Sequence, residues 1–141
     1  MNAPLLYRIA GVLLLLFAAG HTLGFLTFKP SSAEGRAVRA AMESVTFDHK
    51  GRPYSYGNFY RGFGLFVTAY LLFFAFLAWY LAGVAARAPG SITALAWAFV
   101  VVQIACLGLS VRYFFLLPAL LSGVIAACVG WAAWLVSGAV S

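Results

Sequence analysis

Acidic residues are almost missing from this chain: three in 141 positions, Glu34, Glu43 and Asp48, all within one polar stretch. No apolar run carries a carboxylate. That argues against paired-carboxylate catalysis within the helices and against a proton-coupled carrier, which needs an ionisable acid at membrane depth. Cysteine is nearly as scarce. Cys106 and Cys128 stand singly in apolar runs with no C-x-x-C spacing, so neither a disulfide framework nor a zinc site is expected and both read as small buried hydrophobes. Charged residues make up only 9%, far below the roughly 25% usual for soluble domains.

Hydrophobic residues fill the gap, at 65% of the chain and a mean hydropathy of +0.99. A helix needs about 20 apolar residues to cross the hydrocarbon of a bilayer. Four runs reach that length: 5–28, 59–86, 91–111 and 115–136. Barrel strands would alternate apolar and polar residues, and "VLLLLFAA" and "YLLFFAFLAWYLAG" do not. The expected fold is therefore all-α: one integral membrane domain over 1–141, a four-transmembrane-helix bundle with a short amphipathic helix in the first loop. A removable leader is the alternative for the first run, since "MNAPLLYR", "IAGVLLLLF" and "AAG" follow the order of a signal peptide. The apolar run continues through "LGFLTF", which favours a retained helix.

The loop 29–58 is the one long polar connection. Ser31 followed by Glu34 reads as a capping box, and Val38, Ala41, Met42 and Val45 recur at helical spacing, which predicts an amphipathic helix over about 32–45. Arg39 and Glu43 are placed to pair across one turn of it. "FDHKGRPYSY" then alternates around Lys50-Gly51 like a small hairpin, and Asn58 is the expected N-cap of the second span.

The net charge of +6 does not indicate nucleic acid, because the nine basic residues are scattered without a dense stripe. It reads as topology. Lys29, Arg36, Arg39, Lys50, Arg52, Arg61 and Arg112 fall on the loop face, with only Arg8 and Arg87 opposite. The positive-inside rule then puts loop 29–58 in the cytoplasm of a bacterial inner membrane and both termini outside. Trp79, Tyr80, Trp131, Trp134 and Tyr7 are the expected aromatic belt of the far face.

Polar side chains at membrane depth gather under the loop. His21 in "GHTLG" lies about 10 Å inside its helix end and Gln103 about 13 Å inside its own, at 1.5 Å per residue. With Thr22, Tyr60, Arg61, Arg112 and Tyr113 they form the candidate ligand-binding set. His21 has three readings: an interhelical hydrogen bond to Gln103 or a tyrosine, a general acid/base, or a metal or haem ligand. His49, in the loop, is the only other histidine, so a bis-His haem within one subunit is not expected, nor is any other cofactor. Gly20 and Gly24 form G-x-x-x-G, and Ser122, Ala126 and Gly130 repeat small-xxx-small; both suit close helix packing within the chain or in a homodimer. Arg61 either snorkels to headgroups, or with Arg112 clamps an anion over His21.

"GHTLGF" with "FYRGFG" resembles a group of small four-helix bacterial inner-membrane proteins, a resemblance that implies the architecture and no particular chemistry. The layout is also similar to the sterol-isomerase and sigma-2-receptor group, but the acids that chemistry requires within the helices are missing here. The expected role is an accessory subunit of a larger membrane complex or a module binding lipid or another lipophilic molecule. The alternative is a small membrane enzyme with His21 as acid/base, and a transporter ranks third. The expected partners are the lipid bilayer and a second copy of the chain or a larger membrane complex.

Overall fold

The computed structural model describes residues 2–138. In chain order these form α1 (Ala3–Thr27), α2 (Ala33–Ser44), β1 (Thr46–His49), β2 (Arg52–Ser55), α3 (Tyr56–Ala85), a 3-10 turn (Pro89–Ile92), α4 (Thr93–Tyr113) and α5 (Leu116–Gly138). Four segments, Ala3–Thr27, Tyr56–Ala85, Pro89–Tyr113 and Leu116–Gly138, are long and apolar enough to cross a membrane. Only 22–33% of their most apolar windows is buried inside the chain, so most of that surface points outward. Such a surface is stable in hydrocarbon, where a helix also satisfies its own backbone groups. The chain is a small multi-pass membrane protein.

It divides into two compact units. The first comprises residues 2–17 and 71–138 of the described range. Leu6, Tyr7, Ala10 and Leu14 of α1 share its core with Ala75, Ala78, Leu81, Ala82 and Ala85 of α3. The α3 positions repeat at three and four, the spacing of one helix face, and four of the five are alanines. Small residues let helices approach closely without a hydrophobic drive from water. Gly11 shows how closely: a Cβ there would meet the Trp79 indole at 2.7 Å. Phe74 stacks on Phe99 at 5.7 Å and joins α3 to α4.

Two polar contacts fix α4 antiparallel to α5. Ser110 and Ser122 meet through their hydroxyls at 3.2 Å near the connection, and at the far ends Trp97 Nε1–H donates to Ser137 at 3.0 Å. The α5 seam runs through Ser122, Ile125, Val129, Ala132, Ala133 and Val136. Pro118 is the third residue of α5, within the first turn, where an amide would have no helical acceptor.

The second unit is 18–70. Ser32, one residue later than the Ser31 capping box, caps α2 by accepting the Gly35 N–H at 3.0 Å. The shift places Glu34 at the second helical position, too early for the reciprocal bond of a capping box. Arg39 and Glu43 pair at 3.6 Å, and Arg39 also donates to the Phe28 carbonyl just beyond α1. The hairpin has Lys50 and Gly51 both at positive φ, 54° and 75°, the two-residue type I′ turn whose twist matches the strands. The Asp48 carboxylate supports it by accepting the Gly51 N–H at 3.1 Å. α3 then starts at Tyr56, and Ser55, not Asn58, caps it by accepting the Asn58 N–H at 3.1 Å. Gly57 lies close against the end of α2: a Cβ there would lie 3.1 Å from Glu43 Cγ and from the Met42 carbonyl oxygen.

Candidate functional site

The last turns of α1 and the first turns of α3 meet along a polar seam within 18–70. His21 Nε2 lies 3.0 Å from the Gly64 carbonyl oxygen. A carbonyl only accepts, so Nε2 carries the proton and donates. Thr22 and Thr68 are 2.9 Å apart, Thr22 donates to the Ala18 carbonyl at 2.7 Å, and Thr68 is 3.3 Å from the Gly64 carbonyl. The shortest contacts are met when Thr22 gives its proton to Ala18 and Thr68 gives its own to Thr22. Tyr60, Gly64 and Thr68, four apart, form the α3 side of the seam.

Phe25 closes it. Its ring lies parallel to His21, with centroids 5.8 Å apart and planes 5° from parallel, and meets Tyr60 at 5.4 Å. It also fills the space a side chain would need at Gly64, where a Cβ would come within 2.3 Å of the ring. Gly64 is therefore the glycine this seam requires. At Gly20, Gly24 and Gly130 a Cβ meets nothing within 4 Å, so these small residues of the sequence motifs form no close packing among the described residues.

The remaining candidates are dispersed. Arg61 donates to Asn58 Oδ1 at 3.3 Å, and its unit includes His21, Thr22 and Tyr60. Gln103, Arg112 and Tyr113 belong to the other unit. There Arg112 lies over the Tyr113 ring at 5.4 Å, and Gln103 is 3% exposed with its Nε2 unpartnered among the described residues. Tyr7, expected in the aromatic belt, is instead fully buried in the core, its hydroxyl without a partner among the described residues. It lies on the same face of α1 as Leu6, Ala10 and Leu14, so the helix turns it inward.

A groove that no sequence motif marked lies on α3. About 310 Å³ is lined by Tyr54, Asn58, Phe59, Gly62, Phe63 and Phe66. The α3 positions recur at one, three and four, which is one helix face, and at 100° per residue it lies across α3 from Tyr60, Gly64 and Thr68. The seam faces α1 and the groove faces away from it. Gly62 leaves the groove its depth, since no atom lies within 4 Å of where its Cβ would be. Tyr54 is fixed at one end by Phe47, 6.0 Å away, and Phe47 packs edge-on against Phe59 at 5.9 Å. The signal was present as Phe59, Phe63 and Phe66 around Gly62 at helical spacing, overshadowed by Tyr60 and Arg61 between them. Among the described residues no group of three His, Cys, Asp or Glu could hold a metal ion.

No protein-family model, curated protein or solved structure matches the chain.

Proposed function

We propose that this membrane protein is a non-catalytic module that holds a lipophilic molecule in the groove on α3. The observation that carries this is the groove's position and chemistry. Its wall is almost wholly apolar, with Phe59, Phe63 and Phe66 along α3 and Tyr54 and Asn58 at the end where α3 begins, and it opens away from the α1 seam. Ligand sites are mostly apolar with a few placed polar groups, and about 300 Å³ is their lower limit. The His21 donor is engaged by a backbone carbonyl in the seam, which favours a packing role over acid/base chemistry.

The test is native mass spectrometry of the full chain released from phosphatidylcholine nanodiscs. Wild type is expected to retain lipid and Gly62→Phe, which fills the groove, to lose most of it. Equal retention by the two would overturn the proposal.

A further inference from the structure

The groove does not end at Tyr54. In the hairpin Phe47 pairs with Tyr54 and His49 with Arg52. Residues two apart on a strand share a face, so the aromatic pair and the His49–Arg52 pair stand on the same side of the hairpin, about 7 Å apart along it. Phe47 packs against Tyr56 at 5.1 Å and Phe59 at 5.9 Å, which fixes that side against the first turn of α3. One continuous surface therefore passes from the Arg52 guanidinium and the His49 imidazole, through two aromatic rings, to an apolar groove. The nearest acid in sequence, Asp48, pairs with Pro53 on the other face, its Oδ1 accepts the Gly51 N–H, and it forms no ion pair with Lys50 or Arg52 among the described residues. Lys50 adds a second cation at the turn, and neither its side chain nor that of Arg52 has a hydrogen-bond or ionic partner among the described residues.

We propose that this surface binds one anionic phospholipid of the bilayer, its phosphate on Arg52 and His49 beside Lys50 and one acyl chain along Phe59, Phe63 and Phe66. The assignment rests on the groove being a lipophile site and adds the class of lipid. Charge complementarity selects the occupant. Arg donates in a fork suited to phosphate oxygens, His49 adds a ring N–H donor, and the two cations Arg52 and Lys50 disfavour a headgroup that carries its own cation. The connection between two spans also keeps the hairpin at the membrane surface, where such lipids are present and each basic side chain contributes appreciably.

The experiment uses the full chain in nanodiscs of equal phosphatidylglycerol and phosphatidylcholine, with retained lipid identified by native mass spectrometry. Wild type is expected to retain phosphatidylglycerol preferentially. Arg52→Gln is expected to lower that preference about fivefold, the equivalent of one surface cation, and His49→Gln, which keeps a side-chain donor, to lower it less, both with total lipid unchanged. Arg52→Lys, which keeps charge and hairpin, is expected to keep most of it. Equal retention of the two lipids by wild type, or an undiminished preference in the His49→Gln/Arg52→Gln double variant, would overturn the anionic assignment while leaving the groove as a lipophile site. Undiminished retention of both lipids by Gly62→Phe would overturn both proposals.

Discussion

His21 and Gly64 are joined through a side-chain N–H and a main-chain carbonyl, at 3.0 Å across the seam between α1 and α3. Gly64 serves this contact twice, as the acceptor and as the space that Phe25 occupies. The histidine and the glycine thus meet different needs at one crossing: a donor at membrane depth is satisfied, and two helices come close enough to satisfy it.

His21→Phe keeps a ring to stack on Phe25 and removes the donor. Interhelical bonds of this kind contribute about 0.6–2 kcal/mol, and a loss in that range is expected by SDS-titrated unfolding in mixed micelles. Unchanged stability would assign His21 to something other than packing. Retained lipid is expected to be unaffected, because His21 is not among the residues lining the groove.

Gly64→Ala forces the Phe25 ring from its place between His21 and Tyr60, and overpacking of this kind costs about 1–3 kcal/mol. Gly24→Ala meets open space and is expected to be neutral or slightly stabilising, since alanine is the better helix former. The comparison is made by the same unfolding titration. A large loss from Gly24→Ala together with a change in oligomeric mass would place a second copy of the chain on that face.

Gln103→Leu and Tyr7→Phe each remove a buried polar group that has no partner among the described residues. An unsatisfied buried donor costs about 1–3 kcal/mol, so both variants are expected to raise the thermal midpoint in detergent. A fall in the midpoint would mean that the amide or the hydroxyl is satisfied in the membrane by a bound water or ligand.

Asp48→Ala removes the acceptor of the Gly51 N–H, and Gly51→Val puts a β-branched side chain at a φ of 75°. Both are expected to open the hairpin, seen as faster hydrogen exchange over 46–55 with the exchange of α4 and α5 unchanged. Gly51→Val is expected to be the more disruptive, because positive φ strongly disfavours β-branched residues. Protection equal to wild type in both variants would show that the aromatic contacts of Phe47 hold the hairpin without its turn.

The four spans and the amphipathic helix were legible because hydropathy and periodicity are local properties that bilayer and interface amplify. The Lys50-Gly51 turn was legible for a similar reason, since flanking alternation marks a hairpin. Caps were less so: serine occupies both 31 and 32, and only the chain path decides which hydroxyl reaches an amide. At the start of α3, Ser55 displaced Asn58 in the same way. The partner of His21 was not legible at all. Every residue has a carbonyl, so composition cannot mark the one that accepts, and side chains such as Gln103 attract attention instead. The glycines followed suit: G-x-x-x-G at 20 and 24 is conspicuous as a motif, while Gly64 acquires its role only from Phe25 on another helix.

Because the acceptor for His21 belongs to the main chain, no codon change at position 64 can delete it. Selection can act there only on volume. Drift through relatives should therefore leave the histidine free of any matching polar exchange at 64 and should instead link positions 25 and 64, a bulkier residue at one being tolerated when the other shrinks. A coupled pair of apolar sites, silent about the polar bond beside it, is the trace this seam would leave in an evolving lineage.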